Sequence, residues 1–318
     1  MSINLSDKIK TSLMMNSYFD TLGFKNTEWE FNFNFNNNNT NLQANLIWLH
    51  IVHNYFVLGG SNIDISTWNA SDDTILTLAT GNGILKGGKL KNYIDEYKSV
   101  LKLLDESKRA SGVNNINNLK KIIKINDINK LDYNESMGGN GAAIRTSPIG
   151  LIYNKENQLE ELIKQSIESS RITHNYTIAF LGGLVTALFT SYAIRDIPIY
   201  EWCKLLLELN ESGEIDDYMK TTNIYENYKK DKKHFWDKWY QYKEKRMSNI
   251  LKKESDKYLY PLDSIEDLKD YVPGINFNTN DEDFNKWGSS GIGAVIIAYD
   301  SLLLSLYLDK GTNKYNVS

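Results

Sequence analysis

The sequence predicts an all-α fold, and three observations carry that prediction. Apolar residues recur at three- and four-residue spacing in one segment after another. No alternating run is long enough to mark a strand, and no repeat recurs at a fixed period. Helix boundary signals sit where the periodic segments begin and end, as Ser71 and Pro198 show. In order, Leu42–Leu58 carries Leu46, Ile47, Leu49, Val52, Tyr55 and Phe56 as a broad apolar stripe. Ser71 precedes a segment with Ile75, Leu76, Leu78, Ala79 and Ile84, and Tyr93, Tyr97, Leu101 and Leu104 follow at near-fourfold spacing. Leu159–Ser170 places Leu162, Ile163, Ser166 and Ile167 on one side. Phe180–Ile194 is apolar almost all round and rich in small residues, which predicts a central buried helix ending before Pro198. Trp202–Leu209 starts another helix, and Ala294–Leu306 reads as a last apolar one.

Composition narrows the function classes. The 318 residues hold 41% hydrophobic and 24% charged side chains, enough for a sizeable core. Thirty-six basic against 40 acidic residues give a net charge of −4, which argues against a general nucleic-acid binder. One cysteine, Cys203, allows neither a disulfide framework nor a cysteine zinc site, and His50, His53, His174 and His234 are too scattered for a metal cluster. No apolar run reaches a membrane span, and MSINLSDKIK lacks the apolar core of a signal peptide, so the expected setting is intracellular and reducing, with no membrane partner. Residues 32–41, with the tract Asn36–Asn39, read as a surface loop. Lys229–Lys253 has ten Lys/Arg against three Asp/Glu, interleaved with Phe235, Trp236, Trp239, Tyr240 and Tyr242. Such a mix suits either a single-stranded nucleic-acid platform or an amphipathic helix with its aromatics inward, and the acidic total favours the helix.

Four short segments could carry chemistry. Ser71-Asp72-Asp73-Thr74 opens a helix; Ser71 suits an N-cap, and first-turn carboxylates suit the helix dipole. The same side chains present several hard oxygens near one point, which suits Mg²⁺ or Mn²⁺. Gly138–Arg145 (GGNGAAIR) lets backbone N–H groups approach an anion or nucleotide closely, and it matches neither GxGxxG nor GxxxxGK[ST]. Ser169–His174 precedes the buried helix, with His174 either a structural or a functional histidine. Trp287-Gly288-Ser289-Ser290-Gly291 is a small-residue loop leading into the last helix.

Taken in order, these segments resemble the ADP-ribosylglycohydrolase family, nearest to the branch acting on ADP-ribosyl-arginine. The likeness is carried by WNASDDTILTLAT (68–80), GGNGAAIRTSPIGL (138–151), QSIESSRITH with FLGGLVTALFTSYAI (165–194) and SSGIGAVIIAYDSLL (289–303), with Leu22-Gly23 and Trp29-Glu30-Phe31 near the start. It implies one compact all-α domain over residues 1–318 and two divalent cations, Mg²⁺ or Mn²⁺. It implies Ser71, Asp72 and Asp73 as metal ligands, with Asp72 and Asp73 catalytic. It implies Gly139, Asn140, Gly141, Ala142 and Arg145 around the diphosphate and ribose, His174 near that ligand, and Ser289, Ser290 and Gly291 toward the adenosine. The activity implied is hydrolysis of the N-glycosyl bond of ADP-ribosylated arginine, with ADP-ribose or an ADP-ribosylated protein as partner and no nucleic acid.

Two departures from the family pattern stand out. A Gly-Asp-Ala-Leu-Gly-like string is here Phe19-Asp20-Thr21-Leu22-Gly23, which keeps the Asp. The family's Gly-Gly-Asp-x-Asp-Ser/Thr string, due after the last apolar helix, is here Leu308-Asp309-Lys310-Gly311-Thr312, with Ser318 last. The expectation is a C-terminally truncated member with half of the binuclear site. Its rival reading is a catalytically impaired protein that binds ADP-ribose.

Overall fold

The computed structural model describes residues 4–29, 41–106, 109, 112–125, 127–247 and 288–311. The asparagine tract, Glu30-Phe31, Trp287 and Thr312–Ser318 lie outside them. Thirteen α-helices are described: α1 Leu5–Phe24, α2 Asn41–Val57, α3 Asp72–Leu85, α4 Leu90–Glu106, α5 Val113–Ile125, α6 Gly141–Arg145, α7 Ser147–Ile152, α8 Leu159–Arg171, α9 Thr177–Ile194, α10 Trp202–Ser212, α11 Glu214–Lys220, α12 Tyr225–Gln241 and α13 Gly291–Gly311. Among the described residues the only β pairing is one isolated bridge, Gly139 with Ser290. The all-α expectation holds.

α9 is the axis of the fold. Its apolarity all round is accounted for by α6, α7, α8, α12 and α13, which pack on its different sides. It has the length and hydropathy of a membrane span, yet most of that window is buried against these helices. Side-chain volume is absent where the backbones come closest. A Cβ on Gly182 would lie 2.2 Å from the Gly291 carbonyl oxygen, and one on Gly150 would lie 2.1 Å from the Ala187 carbonyl oxygen. α13 and α7 therefore rest on α9 backbone to backbone.

An aromatic cluster closes the other end. Phe189 of α9 meets Trp202 of α10 at 5.3 Å, Trp239 of α12 at 5.7 Å and Tyr299 of α13 at 5.2 Å. These distances fit the tilted and edge-on geometries that aromatic rings prefer. The basic, aromatic stretch is thus an amphipathic helix through residue 241, continued by a π-helical turn over Tyr242–Met247. Phe235, Trp236, Trp239 and Tyr242 are buried in the core, and half-buried Tyr240 donates to Glu211 Oε1 at 2.7 Å. Cys203 is buried too, and burial pushes its thiol up to about 12, which makes it unreactive.

Of the apolar stripe read on residues 42–58, Leu49 and Phe56 are more than half exposed and Val52 and Tyr55 are half-buried, while the side chains of Leu46 and Ile47 lie outside the described residues. The last two buried helices start earlier than read, at Thr177 and Gly291, because extended Tyr176 and the Ser290 hydroxyl set their first turns.

The glycine contact gives a direct test. Gly182→Ala should destabilise the protein by about 3 kcal/mol or more, since backbone atoms must move to admit the methyl group. Chemical denaturation of the variant beside the parent chain measures it.

Candidate active site

The first part of the site is the N-terminus of α3. Ser71 is its N-cap: extended at ψ −174°, with Oγ accepting from the Asp73 N–H at 3.1 Å. The same hydroxyl donates to Asp20 Oδ1 at 2.6 Å. The Ser71 backbone N–H donates to Asp20 Oδ2 at 2.9 Å, and the Thr74 hydroxyl donates to that oxygen as well. One carboxylate on α1 therefore gathers three donors from the first turn of α3, across 51 residues of chain. A hydroxyl has one proton and two lone pairs. Here the proton faces Asp20 and one lone pair faces Asp73 N–H, which leaves one lone pair for a ligand. Asp72 is buried, its N–H held by the Arg109 carbonyl at 3.2 Å, and the Arg109 guanidinium donates to the Ala70 carbonyl. Asp73 is half-buried.

The second part is a pair of loops. The Asn140 N–H donates to the Ser289 carbonyl at 2.9 Å, and the Gly291 N–H to the Gly138 carbonyl at 2.9 Å. The Asn140 side chain adds a bond to the Gly288 carbonyl at 3.0 Å. Ser290 Oγ accepts from the Gly293 N–H at 2.9 Å and so caps α13. Two segments singled out separately in the sequence, 138–141 and 288–291, are one structural unit. His174 sits beneath it. A Cβ on Gly139 would lie 3.4 Å from His174 Nε2, while Nδ1 pairs with the Thr173 hydroxyl at 2.8 Å. Burial, with the Arg145 charge second, lowers the His174 pKa to about 3. The ring is neutral at physiological pH.

Arg145 supports this unit from behind. It is fully buried, donating from Nε to Tyr97 Oη at 3.0 Å and from its terminal nitrogens to the carbonyls of Gly141 at 3.0 Å and Ser169 at 2.9 Å. Its guanidinium also stands 5.2 Å from the centre of the Tyr97 ring. The sequence reading placed Arg145 around the diphosphate; the structure turns its charge inward, onto the carbonyls that shape α6 and end α8. Ala142 is likewise buried, whereas Gly139 and Asn140 are half-buried and Ser289 is exposed. α3 packs against α6, which brings the two parts of the site to neighbouring helices.

The donors at the head of α3 are all oxygens, and in kind they fit a hard divalent cation. Among the described residues no group of three or more His, Cys, Asp or Glu side chains converges to hold a metal. Ser71, Asp72 and Asp73 would thus supply only part of the roughly six oxygens such an ion takes. Asp309 falls in the last turns of α13, and Thr312–Ser318 lie outside the described residues. Asp20 is the residue that sequence reasoning passed over. It was visible only as the retained Asp of Phe19–Gly23, and nothing local pointed to a partner so distant in sequence.

The model of the ADP-ribosylglycohydrolase family matches residues 1–308. The chain belongs to the ADP-ribosylglycohydrolase family. It is 35% identical over 328 residues to ADP-ribosylhydrolase ARH1 of Dictyostelium discoideum, covering 93% of this chain and 78% of the relative. A protein of Acanthamoeba polyphaga mimivirus named "Putative ADP-ribosyl glycohydrolase" is 32% identical over 315 residues, covering 93% of this chain and 57% of that protein. The chain spans just over half the length of this second relative. As an ADP-ribosylglycohydrolase it is a glycosyl hydrolase by family, and its helical architecture agrees.

The state of His174 in this ADP-ribosylglycohydrolase yields a pH prediction. Between the ordinary value of 6.5 and about 3 the unfolded chain binds a proton that the folded chain does not. Stability from this group is therefore complete above pH 6.5 and is lost as pH falls toward 3. The His174→Asn variant should show a shallower fall in denaturation free energy from pH 7 to pH 4.5, by up to about 1.4 kcal/mol per pH unit.

Proposed function

We propose that the chain hydrolyses the N-glycosyl bond between ADP-ribose and an arginine side chain. The observation that carries the reading is the hydrogen-bonded pairing of loop 138–141 with loop 288–291 over a neutral histidine. The glycines keep side-chain bulk out of this unit, so a nucleotide diphosphate can approach the backbone closely. His174 Nε2 offers a hydrogen bond from a ring that carries no competing charge. The likeness to ADP-ribosylhydrolase ARH1 supports hydrolysis of an ADP-ribosyl bond, and arginine as the acceptor rests on the resemblance of the four sequence segments to the arginine branch.

Mg²⁺ or Mn²⁺ belongs to this proposal. Ser71, Asp72 and Asp73 would hold it, and when bound it would orient the ribose hydroxyls and lower the pKa of water. The protein's own groups do the rest. Buried Asp72 stands toward the sugar, and half-buried Asp73 accepts the proton of the attacking water at a carboxylate oxygen. Water oxygen bonds to the anomeric carbon as the carbon–nitrogen bond breaks; the substituted guanidinium leaves as neutral guanidine, and the proton taken from water passes from Asp73 to it, giving guanidinium. Asp20 and Arg145 touch neither reactant; they hold the two parts of the site.

Release of ADP-ribose from ADP-ribosyl-arginine in the presence of Mg²⁺ tests the proposal. Asp72→Asn and Asp73→Asn should each lower kcat by about 100-fold or more, the scale for removing one group that stabilises developing charge. A parent chain no faster than these variants would overturn it.

A further inference from the structure

We propose that Asp20 is a positioning residue for the hydrolysis, setting the Ser71 hydroxyl and the first turn of α3 in the orientation that a divalent cation needs. The inference rests on the proposed role of Ser71, Asp72 and Asp73 toward that cation. Its basis is the bonding at Asp20. Both carboxylate oxygens are engaged, and all three donors come from the same helical turn: Ser71 Oγ, Ser71 N and Thr74 Oγ1. An N-cap serine satisfies its helix with the Asp73 N–H contact alone. The further bond to Asp20 fixes which way the hydroxyl proton points, and it forces the remaining lone pair outward. A free serine would rotate its proton through three staggered positions and present a proton, rather than a lone pair, to the cation part of the time.

The second argument is placement. Asp20 lies on α1 and is only partly exposed, with Ser71 and Thr74 both nearly fully buried, so charge-assisted bonds here are stronger than at an open surface. Thr74 lies three residues after Ser71 on the same face of this first turn, so its hydroxyl reaches the same carboxylate and fixes the rotation of α3 about its own axis. Asp72 and Asp73, lying between them in the sequence, inherit that rotation. Groups that orient a ligand residue in this way typically change metal affinity 10- to 100-fold.

The experiment uses the full chain. Mn²⁺ binding is followed by electron paramagnetic resonance for the parent, Asp20→Asn and Thr74→Val, with kcat and KM for ADP-ribosyl-arginine under Mg²⁺ and the melting temperature without metal. Asp20→Asn should weaken Mn²⁺ binding by about 10- to 100-fold and lower kcat, with KM little changed because the paired loops hold the nucleotide. Thr74→Val, which removes one donor, should weaken Mn²⁺ binding by about fivefold. If Asp20→Asn melts lower but binds Mn²⁺ within about twofold of the parent, Asp20 is a structural tie alone and the inference is overturned. If Asp20→Asn does not fold, Thr74→Val decides, and unchanged Mn²⁺ affinity there overturns it. A parent chain that binds no Mn²⁺ removes the cation reading itself, and the inference with it.

Discussion

Everything in this fold leans on α9, whose backbone is met at close range at two points where a glycine, Gly182 of α9 itself and Gly150 of α7, leaves no side chain in between. Where α9 meets α13 the backbones are so close that a single methyl group on Gly182 would collide with the Gly291 carbonyl. Where α7 meets α9 the same is true at Gly150. Gly291 is also the residue whose N–H reaches the Gly138 carbonyl. The first residue of α13 is thus held on one side by the core axis and on the other by the glycine loop. The position of the paired loops follows from core packing at that point.

The same division of labour recurs at each part of the site. Groups that a ligand can meet stand in front: Ser289 is exposed, and Gly139, Asn140 and Asp73 are half-buried. Charged groups that organise them stand behind. Arg145 binds three carbonyls and a tyrosine from a fully buried position, and Asp20 binds two hydroxyls and an N–H from the neighbouring helix. A buried guanidinium with every bond directed at protein oxygens is costly to isolate and stable once satisfied. Its charge also helps to keep His174 neutral.

The helices and the cap at Ser71 were legible in the sequence because both are local facts. Apolar spacing fixes a helix within a dozen residues, and a serine before two aspartates has one obvious use. The family itself was legible from four collinear segments. What was not legible is pairing across long stretches of chain. Nothing near Gly139 shows that its partner is Ser290, and nothing near Asp20 shows that it ends on Ser71. Arg145 shows the same limit: its bonds to the Gly141 and Ser169 carbonyls appear only in the fold, because a basic residue after a glycine loop looks the same in sequence whichever way it faces.

The distance in sequence between paired groups also bears on how the molecule is made. Asn140 and Gly288 are 148 residues apart, while the helix contacts on either side of them, α3 with α4 or α8 with α9, are between neighbours in the chain. Local contacts close small loops and form early; distant ones bear a larger entropic cost and form late. The paired loops should come together only after the helices around α9 have docked. That cost grows slowly, by about 0.6 kcal/mol for each doubling of loop length. Surface loops that join the helices between them can therefore lengthen or shorten with little penalty, provided that the helices keep their packing on α9 and Gly138–Asn140 still meets Ser289–Gly291.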